Sequence, residues 1–179
     1  MLKLIFTGVG GQGIITAGIV IAEAVVIEEA RYATQSQSYG AEARGGLTRT
    51  DVIISDTEVL FPKIEQAHIL ATLHQRGYLA HSNTLRPGGI LIYDENAVVV
   101  DEKTDARRVP MPILENGRSA NIVLLGIVCA LTSAVTPESV RRVLFRRYGE
   151  DSANLEAFDR GLKLVSERGF ASLSVGDRI

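Results

Sequence analysis

The stretch LKLIFTGVGGQG, residues Leu2–Gly13, decides the fold of this chain. Its first half is mostly apolar, which predicts a short buried strand over Leu2–Thr7. Glycines follow at once, and the apolar segment that comes next predicts a helix from Ile14 to about Glu29. A strand, a glycine turn and a helix in this order indicate an α/β domain whose turn lies at the carboxyl end of the strand.

The glycines of this turn have the G-x-G-x-x-G spacing, with Gly8, Gly10 and Gly13 at the glycine positions. Such a loop lets backbone N–H groups and a helix N-terminus approach an anion. A dinucleotide site also needs an acidic residue about 20 positions further on, where this chain has ATQSQ at residues 33–37. Three interpretations therefore stay open: tight strand–helix packing, binding of another anion, and an NAD or FAD site.

A second glycine-bounded loop, QSYGAEARGG at residues 37–46, follows a predicted strand over Arg31–Gln37. It places Tyr39, Glu42 and Arg44 beyond a strand end, where open α/β sheets bind ligands or partners. A Glu42–Arg44 pair that only orders the loop fits the same spacing.

The rest of the chain predicts one domain over residues 1–179, a three-layer α/β/α domain with a mixed central sheet. Thr48–Ile54 is predicted as a strand, with Thr57–Phe61 returning as its hairpin partner. Further predicted elements are strands at Ile69–Leu73 and Ile90–Tyr93, a turn at Arg86–Gly89, an exposed charged segment at Asp101–Arg108, an apolar helix at Asn121–Ala134, a helix opened by Thr136 and Pro137, and a helix that starts at Ser152.

Composition narrows the classes of function. A formal net charge of −2 gives no reason to expect a nucleic acid or a membrane surface as partner. The one cysteine, Cys129, cannot hold an iron–sulfur cluster alone and excludes an internal disulfide, so we expect a cytoplasmic protein with this residue in its core.

The three histidines do not have metal-ligand spacing. Surface or capping roles are favoured for them, although His74 could line the same sheet edge as the glycine loop. Four arginines at positions 141, 142, 146 and 147 predict a solvated helix face or an interface with an acidic partner.

Together the two loops resemble the gamma subunit of 2-oxoacid:ferredoxin oxidoreductases, a domain that also occurs within larger pyruvate:ferredoxin oxidoreductase chains. The likeness continues through Val52–Asp56, Arg86–Gly89 and Ala120–Gly126 and ends near Asn154–Gly161, so it covers nearly the whole chain. The resemblance implies cofactor-binding or subunit-interface roles, and no catalytic or metal-binding role, for Gly8, Gly10, Gly11, Gln12, Gly13, Tyr39, Gly40, Glu42, Arg44, Gly45 and Gly46.

The resemblance also implies the reaction of a complex: a 2-oxoacid and coenzyme A give an acyl-CoA, carbon dioxide and two electrons for ferredoxin. Thiamine diphosphate, Mg and iron–sulfur clusters are then expected on alpha, beta and ferredoxin-like delta subunits, so this chain is not expected to be active alone. The 2-oxoglutarate type is closest, with pyruvate, branched-chain and indolepyruvate types open. Contact of the two loops with coenzyme A, or with partner subunits only, is also open. The alternatives are an independent dinucleotide-binding oxidoreductase and an adaptor without an enzyme partner.

Overall fold

The computed structural model describes residues 1–40, 45–150 and 152–171. Within these ranges six strands form one mixed sheet in the order β2-β3-β1-β4-β5-β6. Only β3 runs against the other five, because it pairs antiparallel with both β1 and β2 while β1, β4, β5 and β6 are parallel neighbours. The carboxyl ends of five strands therefore meet at one end of the sheet. The strands are β1 Leu2–Val9, β2 Tyr32–Tyr39, β3 Leu47–Ser55, β4 Ala67–Thr72, β5 Leu85–Asp94 and β6 Ala106–Met111.

Helices cover the sheet on both sides, as the three-layer prediction requires. The main core lies between one face of the sheet and α1, α3, α4 and α5, and the second, smaller core lies under α2 on the other face. The helices are α1 Ile14–Glu23, which continues as a π-helical turn Ala24–Glu28, α2 Gln75–His81, α3 Ala120–Thr132, α4 Pro137–Tyr148 and α5 Ala153–Glu167, with 3₁₀ turns at Ser82–Thr84 and Leu114–Ser119. None of the helices in the described ranges has the length and apolar character that a membrane crossing needs.

The central position of β1 explains its continuous apolar sequence. Leu4 and Phe6 point into the main core, and Ile5 between them points into the second core. A strand that is buried on both faces needs apolar residues at successive positions rather than at alternate ones. The prediction of Leu2–Thr7 as an inner strand is thus confirmed.

Two local predictions are wrong. Thr57–Phe61 does not form a strand, because β2 takes the place beside β3 along its whole length, from Tyr32 opposite Ser55 to Tyr39 opposite Thr48. Arg86–Gly89 is not a turn but lies inside β5, where a register irregularity against β4 absorbs the positive φ of Gly88. The charged segment Asp101–Arg108 is exposed or half-buried, as predicted, and its last three residues begin β6, an edge strand that sequence reasoning did not foresee.

The predicted helix starts are confirmed. The Thr136 hydroxyl accepts a hydrogen bond from the Ser139 N–H at 3.2 Å with Pro137 in the first turn, and the Ser152 hydroxyl accepts from the Leu155 N–H at 3.4 Å. These contacts satisfy N–H groups that a helix start otherwise leaves unpaired. Cys129 is buried in the main core, where burial raises the pKa of its thiol.

The arginines of α4 have partners within the chain. Arg146 and Arg147 pair with Glu28 and Glu23 at the end of α1, Arg142 pairs with Glu28, and Arg141 pairs with Asp159 of α5. The positive charges on the exposed face of α4 are therefore neutralised by carboxylates of the neighbouring helices.

Candidate functional site

The two glycine loops meet at the carboxyl end of β1. The Gly10 N–H donates a hydrogen bond to the Gly46 carbonyl at 2.9 Å, and a Cβ on Gly10 would lie 3.4 Å from the Gly45 nitrogen. A methyl group on Gly10 would therefore be in van der Waals contact with the second loop, so the two loops lie directly against each other. We call Gly8–Gly13 together with Gly45–Gly46 the loop junction. Gly10, Gly11 and Gly45 are exposed there.

The side chain of Gln12 holds the first loop in place. Its Oε1 accepts a hydrogen bond from the Val9 N–H at 2.8 Å, and its Nε2 donates to the Leu73 carbonyl at the end of β4 at 3.3 Å. A Cβ on Gly8 would lie 2.4 Å from that Oε1, so glycine at position 8 makes room for the amide. The polar atoms of Gln12 therefore have partners inside the protein, and their contacts position the loop.

The N-terminus of α1 follows directly. Gly13 is in the left-handed region with φ of 68°, and no side chain of the described residues caps this helix. The Asn121 amide of α3 donates to the Gly13 carbonyl at 3.0 Å. Sequence reasoning missed Asn121 as a contributor, although one polar residue in an otherwise apolar helix start is a usable signal, because a buried amide needs a partner.

The other side of the loop junction is formed by the start of α2. An Arg76 guanidinium nitrogen donates to the Gly45 carbonyl at 3.4 Å, and the His74 Nδ1 accepts from the Arg76 N–H at 3.1 Å. His74 therefore caps α2, the role that its sequence favoured, and it also lies at the sheet edge of the glycine loop. Arg76 is the cationic side chain that reaches the junction among the described residues.

The second loop is only partly described. Tyr39, at the end of β2, is 67% exposed, and the Gly40 N–H donates to the Leu47 carbonyl at 2.6 Å. Glu42 and Arg44 lie outside the described residues. Their proposed roles, and those of the other nine candidate residues, stay predictions.

A polar cluster that sequence reasoning missed lies on the face of the sheet that α2 covers, beside strands β2 and β3. Arg49 binds Asp51 through two contacts of 2.5 and 2.8 Å, and the His81 Nδ1 is 3.4 Å from Arg49. Burial, and then the Arg49 charge, lower the pKa of His81. Arg49 and Asp51 are two positions apart on β3 and so share a face, but only the tertiary structure brings His81 of α2 beside them. In the described ranges no three His, Cys, Asp or Glu side chains come together to hold a metal ion.

The strand order separates this site from a dinucleotide-binding one. In the Rossmann fold the acidic residue after the second strand reaches the ribose of a ligand held at the first strand. Here β3 lies between β1 and β2, so the end of β2 is two strand spacings, roughly 10 Å, from the glycine loop. In addition, Gly46 covers the flank of Gly10. The fold and site thus define a class: α/β domains whose first glycine loop is braced by a second loop.

Comparison with known proteins identifies the family within this class. The model of the pyruvate ferredoxin/flavodoxin oxidoreductase family matches residues 3–164, and the chain belongs to that family. The resemblance found in the two loops is thereby confirmed.

Characterised relatives include subunits of enzymes that act on several oxoacids. The chain is 33% identical to the 2-oxoglutarate synthase subunit KorC of Methanocaldococcus jannaschii, over 90% of this chain and 92% of that one. It is 35% identical to the KorC subunit of Methanothermobacter thermautotrophicus, over 89% and 93%. The ketoisovalerate oxidoreductase subunit VorA of Methanothermobacter marburgensis is 30% identical over 89% of this chain, but the match spans 36% of that longer subunit.

Solved structures agree with the fold. A keto/oxoacid ferredoxin oxidoreductase gamma subunit from Geobacter sulfurreducens has a TM-score of 0.81 and 34% identity, covering 93% of this chain and 99% of that one. The 2-oxoglutarate:ferredoxin oxidoreductase of Magnetococcus marinus, solved with 2-oxoglutarate, coenzyme A and succinyl-CoA bound, has a TM-score of 0.84. Its 22% identity, over 97% of this chain and 33% of that one, shows the fold alone.

Proposed function

We propose that this chain is the gamma-type subunit of a 2-oxoacid:ferredoxin oxidoreductase that acts on 2-oxoglutarate. In this proposal the loop junction faces the catalytic subunits and completes their site, while the chemistry takes place on those subunits. The observation that carries the proposal is the Gly10–Gly46 hydrogen bond, which holds two glycine loops together at the ligand-binding end of the sheet. The names of the KorC relatives support 2-oxoglutarate as the oxoacid.

The cofactors of such a complex do not fit this chain. An iron–sulfur cluster needs several thiolates, whereas the only cysteine is Cys129, which is buried and whose thiol pKa burial raises. We therefore assign the clusters, thiamine diphosphate and Mg to alpha, beta and ferredoxin-like delta subunits. Those subunits would bind the oxoacid and pass its electrons to ferredoxin, and this chain alone would oxidise nothing.

The exposed backbone of the loop junction is suited to two alternative binding partners, coenzyme A or a partner subunit. Gly11, Gly45 and the N-terminus of α1 present main-chain groups, and Arg76 adds a positive charge beside them. Backbone N–H groups and an arginine suit the phosphates of coenzyme A, and an exposed glycine surface also suits close packing of a partner subunit. In both cases the contact stabilises the assembled enzyme and not the isolated fold.

Isolation of the tagged chain from its native host without oxygen tests complex membership. We expect partner subunits with thiamine diphosphate and iron–sulfur clusters, and oxoacid- and coenzyme A-dependent reduction of a viologen dye that is fastest with 2-oxoglutarate. Pyruvate, 2-oxoisovalerate, indolepyruvate and phenylglyoxylate serve as comparison substrates. A chain that is recovered without partners, or that oxidises an oxoacid when rigorously purified, contradicts the proposal.

A matched pair of glycine variants tests the loop junction. Gly45 and Gly88 both have φ of +66°, and a Cβ on either would meet no atom within 4 Å. Alanine at either position therefore introduces the same backbone strain, about 1–2 kcal/mol, but only Gly45→Ala places a methyl group at the junction. We expect similar melting temperatures for the two isolated variants and loss of activity only in the complex with Gly45→Ala. Equal activity of both complexes contradicts the role of the junction.

An independent dinucleotide enzyme is the second candidate, because the G-x-G-x-x-G spacing is present. The position of β3 between β1 and β2 disfavours it. Calorimetric titration of the isolated chain with NAD, NADP and FAD distinguishes the two functions, and we expect no binding heat at millimolar cofactor.

A further inference from the structure

The two edges of the sheet are protected to different degrees. The edge strand β6, ARRVPM, carries Arg107, Arg108 and Pro110, which are residues that prevent another strand from pairing with an edge. The opposite edge strand β2, YATQSQSY, is eight residues long and contains no charge and no proline. Its register with β3 is continuous from end to end, so no bulge twists it away. An edge of this kind is a ready template for pairing.

The backbone groups that β2 directs outward can be assigned from its pairing. The Gly40 N–H donates to the Leu47 carbonyl, and in an antiparallel pair alternate residues share such hydrogen bonds. The even-numbered residues of β2 therefore direct their N–H and C=O groups toward β3. The odd-numbered residues, Ala33, Gln35, Gln37 and Tyr39, direct theirs away from the sheet.

We propose that a second copy of this chain pairs with β2 in antiparallel orientation, about a two-fold axis that passes through Ser36, so that the six strands of each copy form one continuous sheet. Self-pairing of this kind places odd-numbered residues opposite odd-numbered residues, which is the arrangement that satisfies the outward N–H and C=O groups of both strands. Because β2 has no charged side chain, no like charges face each other across the axis.

The apolar residues beside this edge fit a copy of the same chain. Ala33 packs against the main core, so Tyr39, which has the same parity, lies on the α1 face of the sheet. On that face the turn Ala24–Glu28, which precedes β2 along the chain, contacts β2 and leaves Val26 and Ile27 exposed, Ile27 by 63%. The two-fold axis brings Tyr39 of one copy opposite the amino end of β2 in the other, where its ring covers Ile27.

The surface used in this pairing consists of the edge of β2, the Tyr39 ring and the exposed side chains of Val26 and Ile27. The pairing lies along the side of β2, whereas the loop junction lies at the end of β1, so both surfaces can be used at once. Tyr39 then acts as an interface residue between copies.

Sedimentation of the full-length chain tests this pairing. We expect a wild-type dimer, and for Gln37→Lys a dissociation constant raised at least about tenfold, because a lysine on an edge opposes pairing. Gln66→Lys is the matched control. Gln66 is exposed in the connection before β4, so this substitution makes the same change in charge at a position away from β2. Gln37→Pro removes an outward N–H without touching a hydrogen bond to β3, and should give a monomer with an unchanged helix content.

Amide exchange gives an independent reading. In the dimer the N–H groups of Gln35 and Gln37 should be protected at high protein concentration and exchange on dilution, whereas those of Thr34 and Ser36 stay protected by β3 at all concentrations. A wild-type chain that sediments as a monomer at about 100 μM, well above the micromolar dissociation constants of ordinary interfaces, overturns the proposal. So does a dimer that Gln37→Lys and Gln66→Lys leave equally stable.

Discussion

The two faces of the sheet are covered very differently, although the same strands supply both. Four long helices cover the main core, and α3 and α5 cross so closely that a Cβ on Gly161 would lie 2.1 Å from the Val123 carbonyl oxygen. Over the second core the described part of the chain places only the short helix α2 and two connections. Several apolar side chains of these connections point outward: Leu60 and Phe61 are 81% and 85% exposed, and Val99, between buried Val98 and half-buried Val100, is 81% exposed.

This difference indicates that the main core contributes more to the stability of the domain than the second core does. Because α3 and α5 contact each other through their backbones, no space remains at their crossing for a larger side chain. Protein interiors are packed as densely as crystals of small molecules. The cover of the second core consists of short segments held by a few polar contacts, such as the two hydrogen bonds between the Gln75 amide of α2 and the N–H and C=O of Val99, at 2.6 and 3.1 Å. Four changes test this comparison, from the largest expected effect to the smallest.

Gly161→Ala should have the largest effect. The new methyl group collides with the Val123 carbonyl and approaches Gly126 Cα at 3.0 Å, so α3 and α5 must separate along their crossing. We expect the free energy of unfolding to fall by about 3 kcal/mol or more, measured by urea denaturation. Gly169→Ala, just beyond α5 with open space around its Cβ, is the control and should lose only about 1–2 kcal/mol from backbone strain. Equal losses would mean that α3 and α5 do not touch at Gly161.

Tyr78→Phe should have a moderate effect on the other face. The Tyr78 ring is buried in the second core, and its hydroxyl bonds the Thr104 hydroxyl at 2.7 Å and accepts from the Asp101 N–H at 2.9 Å. Removing the hydroxyl keeps the ring packing and should cost about 1–1.5 kcal/mol. Amide exchange of residues 101–104 should rise by more than that of α3. A uniform rise over both faces would show that the two cores unfold as one unit.

His68→Asn should change the pH dependence of stability. The His68 Nδ1 accepts a hydrogen bond from the Lys3 N–H at 2.9 Å, and burial, aided by the charges of Arg86 and Lys3, lowers the pKa of His68 from 6.5 to about 4. Between pH 6.5 and pH 4 the unfolded chain binds more protons than the folded one, so the wild type loses stability as the pH falls through this window and has its full stability above it. Asparagine keeps an acceptor without titrating. The difference in unfolding free energy between pH 7 and pH 5 should therefore be smaller in the variant, and an unchanged difference would assign it to other groups.

Leu60→Ser and Phe61→Ser should have almost no effect on the isolated chain. Both side chains are largely exposed, so their removal changes the free energy of unfolding by no more than about 0.5 kcal/mol. Ile64→Ala in the same connection is the control, because Ile64 is buried in the second core and its truncation should cost about 2–4 kcal/mol. Melting temperatures of the three variants suffice, and a large loss for Phe61→Ser would place that ring against the core.

Predictions from sequence succeeded where the cause is local. The caps at Thr136 and Ser152 depend on residues three positions away, and the strand, glycine turn and helix over Leu2–Glu23 depend on one continuous pattern. The prediction of Thr57–Phe61 as the partner of β3 was wrong because pairing is a competition between segments, which β2 wins along its full length. The strand β6 was missed because Arg107, Arg108 and Pro110 are typical of a loop as well as of an edge strand.

By itself, the amino-acid sequence determined the α/β class, the family and the two glycine loops, because glycine spacing and apolar periodicity act over a few residues. Only the tertiary structure decided what those loops contact. Gln12 bonds Leu73, 61 residues away, and Asn121 bonds Gly13, 108 residues away. The strand order that places β3 between β1 and β2 is likewise a choice among distant segments. Such contacts form only when the whole sheet has assembled, since no single segment contains both partners.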